Sequence, residues 1–169
     1  MMLTGTRQNR GFTIVELMTT VVVIGLVSAM ATPQLQKAYE RNRFRSVVKD
    51  MTSTLRLARS HAITDKVPYG VCLDAEAMTI TLYKDLVDPQ NYDFVSGDSV
   101  LRVDSLPPEF VWTGTDVTNN VITFSPSGSA GFSGGGNLYM LAYSRDVVAF
   151  SSTNVLASTG RVQSTFWHY

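Results

Sequence analysis

Thiols are nearly missing from this chain of 169 residues. Its one cysteine, Cys72, cannot close an internal disulfide, and no multi-cysteine zinc or iron–sulfur site is possible. Histidine is almost as scarce, and His61 and His168 stand at no metal-ligand spacing. Net charge is missing too, with 14 Lys and Arg against 14 Asp and Glu. That excludes a uniformly basic nucleic-acid binder and a highly charged disordered chain. The length suits one domain with an appendage, and an apolar fraction of 44% suffices for a core.

The zero is a cancellation between unlike segments. Residues 1–11 carry Arg7 and Arg10 and no acid, and residues 12–36 hold a single charge, Glu16. Residues 37–66 set eight bases against Glu40, Asp50 and Asp65, a net of +5. Residues 67–169 set Lys84, Arg102, Arg145 and Arg161 against ten acids, a net of −6. From Phe12 to Thr32 the chain is apolar apart from Glu16, Gly25 and a few hydroxyl side chains. Twenty-one helical residues span about 31 Å, the hydrocarbon thickness of a bilayer. A discarded secretory signal is the competing reading, with Ala29-Met30-Ala31 as a small-x-small cleavage site. Two features oppose it. Glu16 falls inside the apolar run, where a carboxylate near mid-membrane costs about 2.5–3.5 kcal/mol. Helical periodicity also continues past Ala31.

Leu35, Ala38, Phe44, Val47, Val48, Met51, Leu55, Ala58 and Ala62 recur mostly every three or four residues, as one face of a helix does. The pattern predicts one helix of about fifty residues from Phe12 to near Asp65. Pro33 interrupts it, removing one hydrogen bond and bending the axis. Its basic residues, on other faces, read as solvated. After Lys66 the period becomes two. Val67–Leu73 and Met78–Tyr83 read as strands around a turn at Asp74-Ala75-Glu76. Val100–Val103, Phe110–Thr113, Val121–Phe124, Leu138–Tyr143, Val147–Phe150 and Arg161–Phe166 follow, separated by turn-rich stretches. No helical crossover divides them, so the sheet is antiparallel. The fold class is α+β: a long N-terminal helix, its first half transmembrane, packed by its second half on a small antiparallel β-sheet domain.

No catalytic constellation emerges, and neither a cofactor nor a metal is expected. Ser125-Pro126-Ser127-Gly128 lacks the glycine two residues before the serine that a nucleophile elbow requires. Gly128, Gly131, Gly134, Gly135 and Gly136 lack the Lys-Ser/Thr of a phosphate cradle and read as a flexible loop. Cys72 lies in an alternating strand and reads as a small buried hydrophobe. Asp85, Asp88, Asp93 and Asp98 share one loop, but their spacing matches no compact calcium site and predicts a solvated acidic loop. Phe166, Trp167 and Tyr169 are expected to close the sheet or to contact a partner subunit.

The residues Gly11-Phe12-Thr13-Ile14-Val15-Glu16 combine a basic leader, a Gly-Phe junction, an apolar run and a Glu four residues after the Phe. This resembles the class III leader of type IV pilins and type II secretion pseudopilins. The resemblance implies cleavage between Gly11 and Phe12 by a prepilin peptidase at the inner membrane, and N-methylation of Phe12 by the same enzyme. Pro33 falls where many of these proteins place their helix-bending proline. The new amine of Phe12 would be mostly protonated at neutral pH, with a reference pKa of about 7.7–8.0. Glu16, one helical turn away, could neutralise its own terminus or that of a neighbouring subunit. Only the second pairing gives a register for assembly, and it is the role that the resemblance implies.

Further along, Leu55-x-x-Ala58-Arg59-x-x-Ala62-Ile63, Val71-Cys72-Leu73, Ile122-x-Phe124-x-Pro126-x-Gly128 and Gly160-Arg161-Val162 resemble the GspH/FimT family of minor pilins and H-type minor pseudopilins. Some FimT-type members bind DNA through a basic tail in which Gly-Arg-x-Arg recurs. Here the tail Gly160-Arg161-Val162-Gln163-Ser164-Thr165 offers one arginine, Arg161, on a segment of −6. Phosphate binding scales with the cations engaged, so DNA contact at Arg161 is a secondary reading.

The expected organisation is a leader at 1–11, a transmembrane helix at 12–33, its amphipathic continuation at 34–66 and a periplasmic β domain at 67–169. The function implied is a structural subunit of a type II secretion pseudopilus or a type IV pilus, single-pass in the bacterial inner membrane. Its implied partners are other pilin or pseudopilin subunits, the prepilin peptidase and the inner-membrane assembly platform.

Overall fold

The computed structural model describes residues 11–87, 93–107, 110–130, 135–144 and 147–168. One helix, α1, runs Ile14–Asp65 and is continuous through Pro33. The chain divides into two compact units, Met1–Ala38 and Tyr39–Tyr169, and α1 contributes to both. In the first unit every residue from Gly11 to Leu35 is exposed, Ile24 at 64% and Phe12 at 73%. This part of α1 is long and apolar enough to cross a membrane. Its threonine hydroxyls are turned onto the helix's own carbonyls: Thr19 donates to Glu16 O, Thr20 to Leu17 O and Thr32 to Ser28 O. Such internal bonds remove the main penalty for placing a hydroxyl in hydrocarbon.

In the second unit α1 buries Phe44, Val48, Met51, Leu55, Ala58 and Ala62. The expected apolar face is therefore realised from Phe44 onward, while Leu35 and Ala38 stay exposed. After Asp65 come eight strands: β1 Tyr69–Asp74, β2 Thr79–Lys84, β3 Ser99–Ser105, β4 Phe110–Thr115, β5 Val121–Phe124, β6 Gly135–Ser144, β7 Val147–Leu156 and β8 Val162–His168. All pairings between them are antiparallel. The strands form two sheets, ordered β3-β2-β1-β5 and β4-β6-β7-β8.

A single apolar cluster joins α1 to both sheets. Alternation selects its members: Tyr69, Val71 and Leu73 from β1, Ile80 and Leu82 from β2, Ile122 and Phe124 from β5, Leu138 and Met140 from β6. Leu55 is fully buried at its centre. Leu55→Ala is expected to lower the unfolding free energy by about 2–5 kcal/mol, measurable as a shifted denaturant midpoint with an unchanged slope.

Several expectations change at this level. The helix begins at Ile14, not Phe12, because Thr13 caps it. Gly135 and Gly136 open β6, pairing with Leu156 and Val155, instead of belonging to a loop. Gly131 and Gly134 lie outside the described residues. Cys72 is half-buried, not buried, since it points to the face of β1 away from the core cluster. Burial, reinforced by the Asp74 carboxylate, raises its thiol pKa.

The acidic loop is also less solvated than expected. Asp85 is buried, and Asp98 Oδ1 and Oδ2 accept the backbone N–H groups of Leu86, Val87 and Val95. Asp93 accepts from the Asn119 side chain at 2.9 Å. Asp88 lies outside the described residues. Among those described, no three His, Cys, Asp or Glu side chains gather as metal ligands would. Asp98 organises the backbone of this loop.

Candidate functional site

The first candidate site is the start of α1. Thr13 stands one residue before Ile14, and its Oγ1 accepts the Glu16 N–H at 3.2 Å, satisfying one of the donors that a helix N-terminus leaves open. Thr13-x-x-Glu16 is the sequence of a capping box, the signal by which the role of Thr13 could have been found. The Glu16 carboxylate itself has no hydrogen-bond or ion-pair partner among the described residues, and the side chain is exposed. It sits in the first turn, where the helix dipole favours an anion. Gly11 and Phe12 precede the helix, both exposed, with nothing within 4 Å of the place a Gly11 side chain would occupy. Pro33 lies inside α1.

The second candidate site brings together three motif segments distant in sequence. Arg59, near the end of α1, donates from Nε to Gly128 O at 2.9 Å. Gly128 (φ 84°) belongs to the turn after β5, whose hydroxyls Ser125, Ser127 and Ser129 lie within 3.0 Å of one another. Gly160 (φ 61°), in the β7–β8 turn, comes so close that a side chain there would overlap Gly128 O. Both glycines are required by backbone conformation, and Gly160 also by space. Next along α1, Arg56 donates from Nη2 to Val162 O at 3.3 Å, and Thr52 shares a 2.6 Å hydrogen bond with Ser164 of β8. Thr153 completes that buried hydroxyl chain at 2.9 Å from Ser164. Arg56 thus attaches α1 to the second sheet and Arg59 attaches it to the turn after β5, in place of the solvated face that the sequence predicts.

Arg161 is exposed beside this junction, and its side chain lines a groove of about 450 Å³ with Arg56, Arg59 and Ser60. At the end of α1, Tyr69 donates its hydroxyl to Asp65 Oδ2, stacks on His61 at 5.3 Å and lies under Lys84 Nζ at 5.9 Å. Burial, then the Asp65 bond, push the Tyr69 hydroxyl up to about 12. His61 is committed to this packing. Of the terminal aromatics, Phe166 is half-buried against the core, and Trp167 meets Phe150 at 5.4 Å on the outer face of the sheet. Tyr169 lies outside the described residues.

A capped apolar helix with one acid in its first turn, continuing into an amphipathic half that carries antiparallel sheets, defines a pilin-like subunit. Comparison with solved structures finds the same fold in two such proteins. The minor pseudopilin EpsH of the type 2 secretion system of Vibrio cholerae matches with a TM-score of 0.55 and 12% identity, over 72% of this chain and 94% of that one. The type IV minor pilin FimU of Pseudomonas aeruginosa matches with a TM-score of 0.57 and 16% identity, over 73% and 89%. No curated protein matches the chain significantly. The family described as type II transport protein GspH matches residues 47–161, and the prokaryotic N-terminal methylation motif matches residues 6–32. The chain belongs to the GspH family, and with that leader it is a minor pseudopilin.

Proposed function

We propose that the chain is cut between Gly11 and Phe12 by a prepilin peptidase, methylated on the new amine of Phe12, and drawn from the inner membrane into a short filament by an assembly platform. The carrying observation is the methylation motif leading into an apolar helix that its own unit leaves wholly exposed. Exposed apolar helix in water is unfavourable at about 25 cal/mol per Å², so the helix needs lipid before assembly and neighbouring helices after it. The fold and family support a structural role made of packing, in which Glu16 meets a neighbour's amine and Pro33 sets the bend of the helix. The second unit then stands in the periplasm. The family description supports a type II secretion pseudopilus over a type IV pilus.

Mass spectrometry of the native N-terminus tests this. The expected product begins with N-methyl-Phe12, and Gly11→Val is expected to leave the leader attached. Cleavage after Ala31, or an unprocessed chain, would sink the proposal.

Arg161 alone does not support DNA binding. Arg56 and Arg59 are held by carbonyls, and the surrounding segment carries an excess of acid. A polyanion would meet few free cations there.

A further inference from the structure

The groove at Arg161 is one end of a longer feature within the second unit. Arg56 also lines a neighbouring groove of about 440 Å³ with Lys49, Ser53, Ser164 and Phe166. The two share Arg56 and together follow α1 along β8. Of the four cations that border them, Arg56 and Arg59 hold backbone carbonyls, which leaves Lys49 and Arg161 for a ligand. None has a carboxylate partner among the described residues. Asp50, the acid next to Lys49, lines a separate hollow with Arg102 and Asp104.

The other wall is a sheet edge. β8 is the last strand of β4-β6-β7-β8. Leu156 N–H donates to Arg161 O, so the next pair, Val155 and Val162, turns its backbone groups away from each other. Val162 O accordingly faces the open edge, where Arg56 reaches it. Along β8 the same alternation turns the backbone of Ser164 and Phe166 outward. An open edge with Lys49 and Arg161 beside it suits an extended chain bearing carboxylates.

We propose that this groove docks an extended acidic segment from the β domain of a neighbouring pilin-like subunit. Charge complementarity argues for that occupant. The helix segment carries +5 and the following segment −6, so neighbouring subunits that set the β domain of one against the helix of the next bring acid onto base. A head-to-tail contact joins unlike surfaces and propagates into a filament. The inference rests on the assembly reading above.

The test is photo-crosslinking of the full-length subunit in cells, with a benzophenone amino acid at Ser60 in the groove or, separately, at Val22 in the apolar helix. Both side chains are exposed. The expected Ser60 product is another subunit, joined through an acidic peptide. Lys49→Glu combined with Arg161→Glu should lower its yield about tenfold or more while leaving the Val22 products unchanged. Val22 products without any Ser60 product would overturn the groove and leave assembly standing. Loss of both would overturn assembly and the groove together. A Ser60 product that is nucleic acid, or one indifferent to the charge reversal, also overturns the proposal. Arg56 and Arg59 are kept because they hold backbone carbonyls.

Discussion

A Glu16→Ala subunit is expected to be processed and methylated normally yet to enter filaments about a hundredfold less efficiently than the parent. Carboxylate and amine would meet in hydrocarbon, where removing one partner of a buried pair costs about 3–5 kcal/mol because the other charge is left uncompensated. At 1.4 kcal/mol per tenfold, that is a factor of a hundred or more. Glu16→Gln keeps the shape without the charge and should fail equally. Membrane insertion should move the other way, since each variant removes an intramembrane charge costing about 2.5–3.5 kcal/mol near mid-membrane. The opposite signs separate assembly from insertion. Fractionation and filament immunoblots in the same strains read both. Filaments of normal composition with either variant would remove Glu16 from the mechanism.

Gly160→Ala is expected to cost the second unit about 3 kcal/mol or more, read as a lower denaturant midpoint. A left-handed φ of 61° penalises any side chain by about 1–2 kcal/mol. The added carbon would also overlap Gly128 O and stand 3.1 Å from Arg59 Nε. Neither wall yields easily. Arg59 holds the Gly128 carbonyl at 2.9 Å, and Gly160 N–H is tied to Leu156 O at 2.7 Å. Gly25→Ala is the control, with nothing within 4 Å. It lies in the first unit and should leave the midpoint of the second unit unchanged. Equal effects of the two substitutions would show that the close approach at Gly160 carries no stability.

Much of this architecture is legible in the order of residues, for reasons of period. The helix from Ile14 to Asp65 announces itself by spacings of three and four, and β5 falls on Val121–Phe124 as its apolar pattern predicts. Local patterns report local structure. They do not report that the strands divide into two sheets, because pairing β1 with β5 joins residues about fifty apart. The Arg59–Gly128–Gly160 contact spans a hundred residues and was visible only as three separate short motifs. The basic face of the helix misled for the same reason. Period assigns a side chain to a face, but only the arrival of β8 makes Arg56 an attachment. At the N-terminus the outcome is mixed: Glu16 stands out as a lone charge, whereas Thr13 was hidden among ordinary hydroxyls.

Strand β1 lies between β2 and β5, and Cys72 occupies its middle, opposite Thr81 on one side and Val121 on the other. In an oxidising compartment a solitary thiol can pair only with another molecule, giving a covalent dimer that would block ordered stacking. Its half-buried position on the face of β1 away from the core limits the approach that a second sulfur needs. The raised pKa also keeps the group in its less nucleophilic form. Maturation outside the cytoplasm would therefore call for no oxidase and no isomerase, and subunits would stay exchangeable with one another after export.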